Sequence, residues 1–302
     1  MAFSTGSQTR FTYINETVYG VSDFAVDGDS DEVSFISDGL NLTKGIFEDP
    51  SIISDRQTRF SRHGNKEVAG DVAFAFANTN YDPFLESVMF SSFNANVLKV
   101  GSTLKSFTVE VGHEDIGQYQ LFTGLVANSF DLEVNLDGVV QSTFGMLGRD
   151  MSIGGVEQDT SPTPPGDFQP YVHFDGVFKE GGASTGILTG ITLNIDNGVD
   201  MNYALGDSAV KELTSSMIAI SGQVTAYFEN ADLLNAFLNE TETTIEFTLD
   251  DSFGNTHTFF LPKVKYNGAD IPVTDGSTLP ITLPFVALFD ATEASTLTIT
   301  RS

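Results

Sequence analysis

Alternation of apolar and polar positions runs through most of the chain. VAFAFA, LKSFTVEV, FDLEVNL, ILTGITLNI, TTIEFTLD and HTFFLPKVKY alternate, or run β-branched and aromatic, between glycine, asparagine and aspartate turns, which is the pattern of half-buried strands. Two short stretches break it. In YDPFLESVMF, Phe84, Leu85, Val88 and Met89 share one helical face, with Asp82 as candidate cap and Pro83 at the first helical position. ADLLNAFL repeats the spacing with Leu233, Leu234, Phe237 and Leu238 behind Asp232. The expected chain is mainly β, with one short helix in each half.

These elements recur in order. VAGDVAFAF (Val68–Phe76) and ISGQVTAYF (Ile220–Phe228) share the pattern (V/I)-x-G-x-V-x-x-x-F. Upstream lie LNLTKG (Leu40–Gly45) and LNIDNG (Leu193–Gly198). Downstream come the two helical stretches, then SFTVEV (Ser106–Val111) and EFTLDD (Glu246–Asp251). The offset between copies narrows steadily along the chain, as a duplication with loop deletions leaves it. Its period is domain-sized, far above the roughly 20–50 residues of solenoid repeats. Between the copies, GGVEQDTSPTPPGDFQP holds four of the ten prolines, a density that stops sheet and helix and reads as a linker. The expected organisation is an N-terminal β domain over 1–157, a Pro-rich linker over 158–170 and a C-terminal β domain over 171–302. Each domain reads as a β-sandwich or barrel with a short flanking helix.

Composition narrows the function. Asp and Glu total 41 against 14 Lys and Arg, a formal charge of −27. Such a chain repels DNA and anionic membrane, because binding a polyphosphate needs cations that displace its counterions. The excess serves solubility, or a surface that must not hold a polyanion. With 26 Phe, 8 Tyr and no Trp, phenylalanine carries the bulky packing. Cysteine is absent, which excludes disulfides and thiolate metal sites and fits a reducing compartment. The opening MAFSTGSQTRFTYINETVYG has no basic segment followed by an apolar one, so no signal peptide is expected. No apolar run approaches the roughly 18 residues of a membrane span.

Candidate chemistry is sparse. GASTG (Gly182–Gly186) fits the nucleophile-elbow pattern, but that motif needs a strand before the serine and a helix after it. With Gly181 and Gly182 in front and ILTGITLNI behind, a glycine-rich turn is expected. DGDSDE (Asp27–Glu32) alternates acids like the start of a calcium loop. Glu32 and Asp38, however, stand where an EF-hand needs glycine and glutamate, so the expectation is a solvated acidic turn. His63, His113, His173 and His257 have no paired-ligand spacing. No cofactor, metal or catalytic residue is expected, although a carboxyl pair of the glycosidase kind stays open, since sequence does not give separations. Arg56, Arg59, Arg62 and Lys66 gather four of the 14 basic residues in SDRQTRFSRHGNKE. That stretch is either a solvated turn or an inter-subunit basic strip facing an acidic neighbour.

Several blocks carry a family likeness: YINETVYGV near the start, then RQTRFSRHGNKEVAGDVAFAF followed by YDPFLESVMF. LTGITLNIDNGVDMNYALGDS, IAISGQVTAYFENADLLNAF, LPKVKY and FVALFDATEASTLTITR continue it. The ordered set resembles the tail tube (major tail) proteins of long-tailed, siphovirus-type bacteriophages over nearly the whole chain. That family is related in fold to the tube protein of type VI secretion.

The resemblance implies β-sandwich domains whose strands close with those of neighbouring subunits into a barrel, in rings that stack into a hollow tube. It implies a structural virion protein rather than an enzyme, assembled in the host bacterial cytoplasm and resident in the phage tail. The implied partners are other copies of the chain, the tail terminator, baseplate or initiator proteins, and a tape measure protein in the lumen. DNA passes through without specific binding, and no membrane is involved. Rings in such families present six β-domains, so two tube domains per chain imply a ring of three chains, a pseudo-hexamer. One tube domain plus a decoration domain implies a hexamer. Alternation puts Asp71, Ala73 and Ala75 opposite core-facing Val72, Phe74 and Phe76, and Gln223 and Thr225 opposite Val224 and Phe228. These five are the candidate lumen residues. The rival reading, a carbohydrate-binding β-sandwich on a virion surface or secreted, predicts exposed aromatic platforms and often calcium; the lack of Trp weighs against it.

Overall fold

A computed structural model of the chain describes residues 3–24, 30–52, 54, 57–78, 81–172, 177–184, 188–229, 232–272 and 278–302. The first half contains β1 (Thr9–Asn15), β2 (Asp31–Glu32), β3 (Ser37–Asp38), β4 (Asn41–Glu48) and β5 (Ser61–Ala75). After α1 (Asp82–Met89) come β6 (Val97–Lys99), β7 (Phe107–His113), β8 (Gln118–Asn135), β9 (Gln141–Gly148) and β10 (Asp150–Gly154). The second half begins with β11 (Val177–Glu180), β12 (Ala183–Ser184), β13 (Leu188–Asp196), β14 (Val199–Asn202), β15 (Glu212–Ser215) and β16 (Ala219–Tyr227). It ends with α2 (Asp232–Leu238), β17 (Thr243–Asp250), β18 (Thr256–Tyr266), β19 (Pro280–Ala287) and β20 (Thr298–Arg301). The chain is mainly β, as its alternation predicts. Among the described residues no helix is long and apolar enough to cross a membrane.

The repeat in the sequence becomes a repeat in strand order. The first half pairs as β1-β7-β8-β9-β5-β4, antiparallel throughout. The second pairs as β11-β17-β18-β19-β16-β13, also antiparallel. α1 follows β5 and lies against β8; α2 follows β16 and lies against β18. Register repeats as well. Asn41 faces Ala69 and Leu42 faces Val68, while Asn194 faces Ser221 and Ile195 faces Ile220. These pairs occupy the same positions of the two written motifs.

The motif glycine has a steric cause. A Cβ on Gly70 would lie 2.2 Å from the Gly39 carbonyl oxygen, and a Cβ on Gly222 would lie 2.2 Å from that of Thr192. Gly39 and Thr192 each directly precede the leucine of their L-N motif. Only a bare Cα admits so close a backbone approach.

One cap differs from expectation. Tyr81, not Asp82, holds the position before α1, without a side-chain cap bond. Asp82 sits in the first turn and pairs with Arg301. Its carboxylate still faces the positive end of the helix, where it is favoured.

Sheet and core continue from one half into the other. β13 pairs with β8, from Gly190 facing Asn135 to Asp196 facing Ser129, and β20 pairs with β6. One buried apolar cluster runs through both halves, with the Phe76 ring 6.0 Å from Phe259 and 5.7 Å from Tyr171. Phenylalanine packs as the composition implied: centroids lie 4.9 Å apart in Phe84–Phe107 and 4.8 Å apart in Phe130–Phe144 and Phe247–Phe259. Such pairs add about 0.5–1.5 kcal/mol each beyond area burial. The proline-rich stretch runs along the first half. Asp159 is buried and accepts the Ser30 hydroxyl at 2.6 Å. The Gln158 backbone N–H donates to the Glu110 carboxylate at 3.0 Å, and that of Thr163 donates to the Ser30 carbonyl at 2.8 Å.

Candidate functional site

Six strands drawn from both halves, β5-β9-β8-β13-β16-β19, form an uninterrupted run. Directly opposed residues on neighbouring strands present their side chains to the same side. Ala73, Thr143, Asp131, Asn194 and Ser221 therefore make one row across five of these strands. All five candidate lumen residues lie on that side: Asp71, Ala73 and Ala75 on β5, Gln223 and Thr225 on β16. Val72, Phe74, Phe76 and Val224 on the opposite side are buried, and Phe228 packs half-buried against the same core.

The middle of this face escaped the sequence reading. Asp131 and Glu133 of β8, with Asn194 and Asp196 of β13, stand exposed between the two candidate groups. The local signal was present, since Asp131, Glu133 and Asn135 alternate with Phe130, Leu132 and Val134. What sequence did not supply was the strand order that sets β8 beside β13.

The electrostatics of the face are one-signed. The paired stretches, residues 68–75, 126–135, 141–148, 188–196, 219–227 and 280–287, contain no Lys or Arg. They contain four carboxylates, Asp71, Asp131, Glu133 and Asp196, all exposed on the same side. Three of them are held by neutral neighbours. Asn194 Nδ2 donates to Asp131, Asn135 Nδ2 donates to Glu133 at 2.6 Å, and the Gly198 N–H donates to Asp196 at 2.8 Å. A low-dielectric sheet bearing only negative charge repels a polyanion along its length.

The basic candidates divide. Arg56 lies outside the described residues. Arg59 and Arg62 are exposed toward the outer end of the β4–β5 hairpin, Arg62 facing Phe47. Lys66 is engaged within its own chain: its ammonium reaches both Asp150 carboxylate oxygens, at 2.7 and 2.8 Å. The Tyr203 hydroxyl donates to the Lys66 carbonyl at 2.8 Å.

The remaining motifs gather into no centre. Gly181 and Gly182 form a left-handed turn, φ 57° and 79°, before the two-residue β12 that holds Ser184; residues 185–187 are outside the described set, as are Asp27, Asp29 and His173. Asp31 accepts the Tyr13 hydroxyl at 3.3 Å. Among the described residues no group of three His, Asp or Glu side chains is placed to hold a metal. Two buried titratable groups lie away from the face. Burial pushes the Glu110 carboxyl up to about 7; the Gln158 N–H and Arg10 oppose the rise, and Glu114 and Asp159 reinforce it. His257 Nδ1 lies 2.7 Å from the Tyr171 hydroxyl, and burial pushes its imidazole down to about 4.

Two repeated halves that share one broad, acid-bearing sheet face define a mainly β, duplicated protein. The model of the phage tail tube protein family matches residues 6–287, and the chain belongs to that family. It is thus a structural component of a phage tail. No individually curated protein matches the chain.

Proposed function

We propose that copies of this chain form rings that stack into the tail tube of a long-tailed, siphovirus-type phage, through which the genome enters the host. The observation that carries the reading is the six-strand face: both halves contribute to it, and its paired stretches hold four carboxylates and no cation. On this reading the face lines the lumen. Asp71, Ala73, Ala75, Gln223 and Thr225 point inward together with Asp131, Glu133 and Asp196. A tape measure protein occupies the lumen first, and DNA passes later without adhering, because the paired stretches of the face offer no cation to release its counterions.

Each half is then a tube-type domain, 1–157 and 171–302, joined by 158–170. Three chains make a ring of six domains; a ring of six chains with one half outside is the alternative. The outer end of the β4–β5 hairpin exposes Ile46, Phe47 and Phe60 beside Arg59 and Arg62, and meets a neighbouring copy there. Tail terminator and baseplate or initiator proteins close the two ends, and assembly takes place in the host cytoplasm.

Negative-stain electron microscopy of the concentrated protein, with symmetry analysis of end-on views, tests the reading. Hollow rings of three chains with six similar lobes are expected. Six chains per ring would retain the tube and refute two tube domains per chain. Compact monomers at every concentration would count against the tube.

A further inference from the structure

The seam between the halves has a counterpart that the chain leaves unfilled. Across the seam, Asn194 faces Asp131, Leu193 faces Leu132 and Ile195 faces Phe130. By strand order, β13 corresponds to β4 in the first half, and β8 corresponds to β18 with its continuation in the second. The correspondence holds residue by residue. Thr143 faces Ala73 on one side and Asp131 on the other. Thr282 faces Thr225 on one side and Asp270 on the other. Ala73 and Thr225 occupy the same place in the repeated motif. Asp270 therefore stands where Asp131 stands, and Asn41 where Asn194 stands. Yet Asp131 holds Asn194, while Asp270 is exposed and Asn41 lies on an edge strand that pairs, among the described residues, with β5 alone.

A second contrast points the same way. Each L-N motif ends in a glycine that leads into a hairpin. Behind Gly198, Val199 is 8 % exposed and packs with Phe90 and Val126 of the first half. Behind Gly45, Ile46 is 64 % exposed. The second half finds a platform within its own chain; among the described residues the first half has no counterpart.

We propose that a second copy of this chain supplies the missing seam. Residues 268–271 pair antiparallel with β4 of the partner and the residues just before it, and the partner's Asn41 donates to Asp270. The partner's Leu40 and Leu42 sit beside Ile271 and Ala269, which already pack against the core, and the partner's Ile46 is covered as Val199 is. Asn41 gives one N–H to the Gly39 carbonyl at 3.0 Å and keeps a second for this bond. The proposal rests on the tube reading and deepens it: one kind of seam alternates within and between chains, a head-to-tail contact that closes a ring and leaves no free edge.

The chain has no cysteine, so a double variant, Asn41→Cys with Asp270→Cys, reads the contact directly. Opposed antiparallel residues hold their Cα atoms about 4.5–5.5 Å apart, inside the range a disulfide bridges. Oxidised assemblies are expected to run as a covalent trimer on a denaturing gel. The in-chain control, Asp131→Cys with Asn194→Cys, is expected to stay monomeric. Rings that show no inter-chain link overturn this pairing and leave the tube standing; a wild-type chain that forms no rings overturns both. A second pair of variants guards against misfolding. Asn41→Asp alone sets carboxylate against carboxylate and is expected to cut ring yield roughly tenfold, because like charges at an interface repel. Adding Asp270→Asn is expected to restore it, and loss without rescue overturns the pairing.

Discussion

Asn194 donates its side-chain amide to the Asp131 carboxylate across the line where the two halves meet. The pair is exposed, so by itself it contributes only on the order of 0.5–1 kcal/mol. Beneath it Leu193, Leu132, Ile195 and Phe130 are buried. Apolar burial holds the seam, and the polar pair marks its register, because a slip of one residue would turn every buried side chain outward.

Leu193→Ala is therefore expected to cost about 2–5 kcal/mol, and Asn194→Ala no more than about 1 kcal/mol. Because the core continues through both halves, each variant is expected to unfold in one calorimetric transition, shifted but not split. Two separated transitions would show that the seam does not couple the halves.

The repeated glycine gives a sharper contrast. Gly222→Ala drives a Cβ to 2.2 Å from a backbone oxygen, where no side chain can yield, and is expected to destabilise by about 3 kcal/mol or more. Gly6→Ala meets nothing within 4 Å and is expected to stay within about 0.5 kcal/mol of wild type. Urea midpoints for the two variants settle it, and equal midpoints would refute the steric account.

How far the sequence could be read follows from what each feature depends on. Strands such as Phe130–Val134 were legible, because alternation is a local property. So was the duplication, because Gly70 and Gly222 answer the same steric demand at the same place. Strand order was not legible. Nothing near Asp131 says that Asn194 lies beside it, so the two ends of the face were found and its centre missed. For Lys66 the sequence offers a solvated turn or an inter-subunit strip and gives no sign of Asp150, which holds it, because Asp150 is distant in the chain and arrives only when β10 folds along β8. The proline-rich stretch has turn composition, but its hydrogen bonds to Glu110 and Ser30 depend on long-range packing.

Glu110 makes a test in pH. Its carboxyl titrates near 7 in the fold against 4.5 in the unfolded chain, so between those values the native state binds more protons and stability falls as pH rises. Glu110→Gln keeps an acceptor for the Gln158 N–H and carries no charge. It is expected to match wild type near pH 4.5 and to exceed it by about 1–3 kcal/mol at pH 8. Melting temperatures across that range read the difference; a constant offset would refute it.

His257 gives the opposite slope. Its imidazole titrates near 4 in the fold against 6.5 unfolded, so the unfolded state binds the extra proton and stability falls as pH drops from 6.5 to 4, by up to about 3 kcal/mol. His257→Asn keeps an oxygen near the Tyr171 hydroxyl and does not titrate. It is expected to be less stable than wild type at pH 7.5 through lost packing, with the gap closing as pH falls. A gap that stays constant in urea titrations down to pH 4.5 would overturn the assignment.

Asp71, Asp131 and Glu133 are exposed, so replacing all three with lysine is expected to alter monomer stability by no more than about 1–2 kcal/mol. Assembled tubes would instead gain three cations per chain along the lumen. They are expected to hold short duplex DNA that wild-type tubes release, with retention falling steeply as salt rises, because each phosphate contact releases counterions. Nuclease separates the two places where DNA could bind: DNA inside the tube is protected, and DNA on its outer surface is digested. Retained but fully digestible DNA would put the acidic face on the outside of the assembly and remove the lumen assignment.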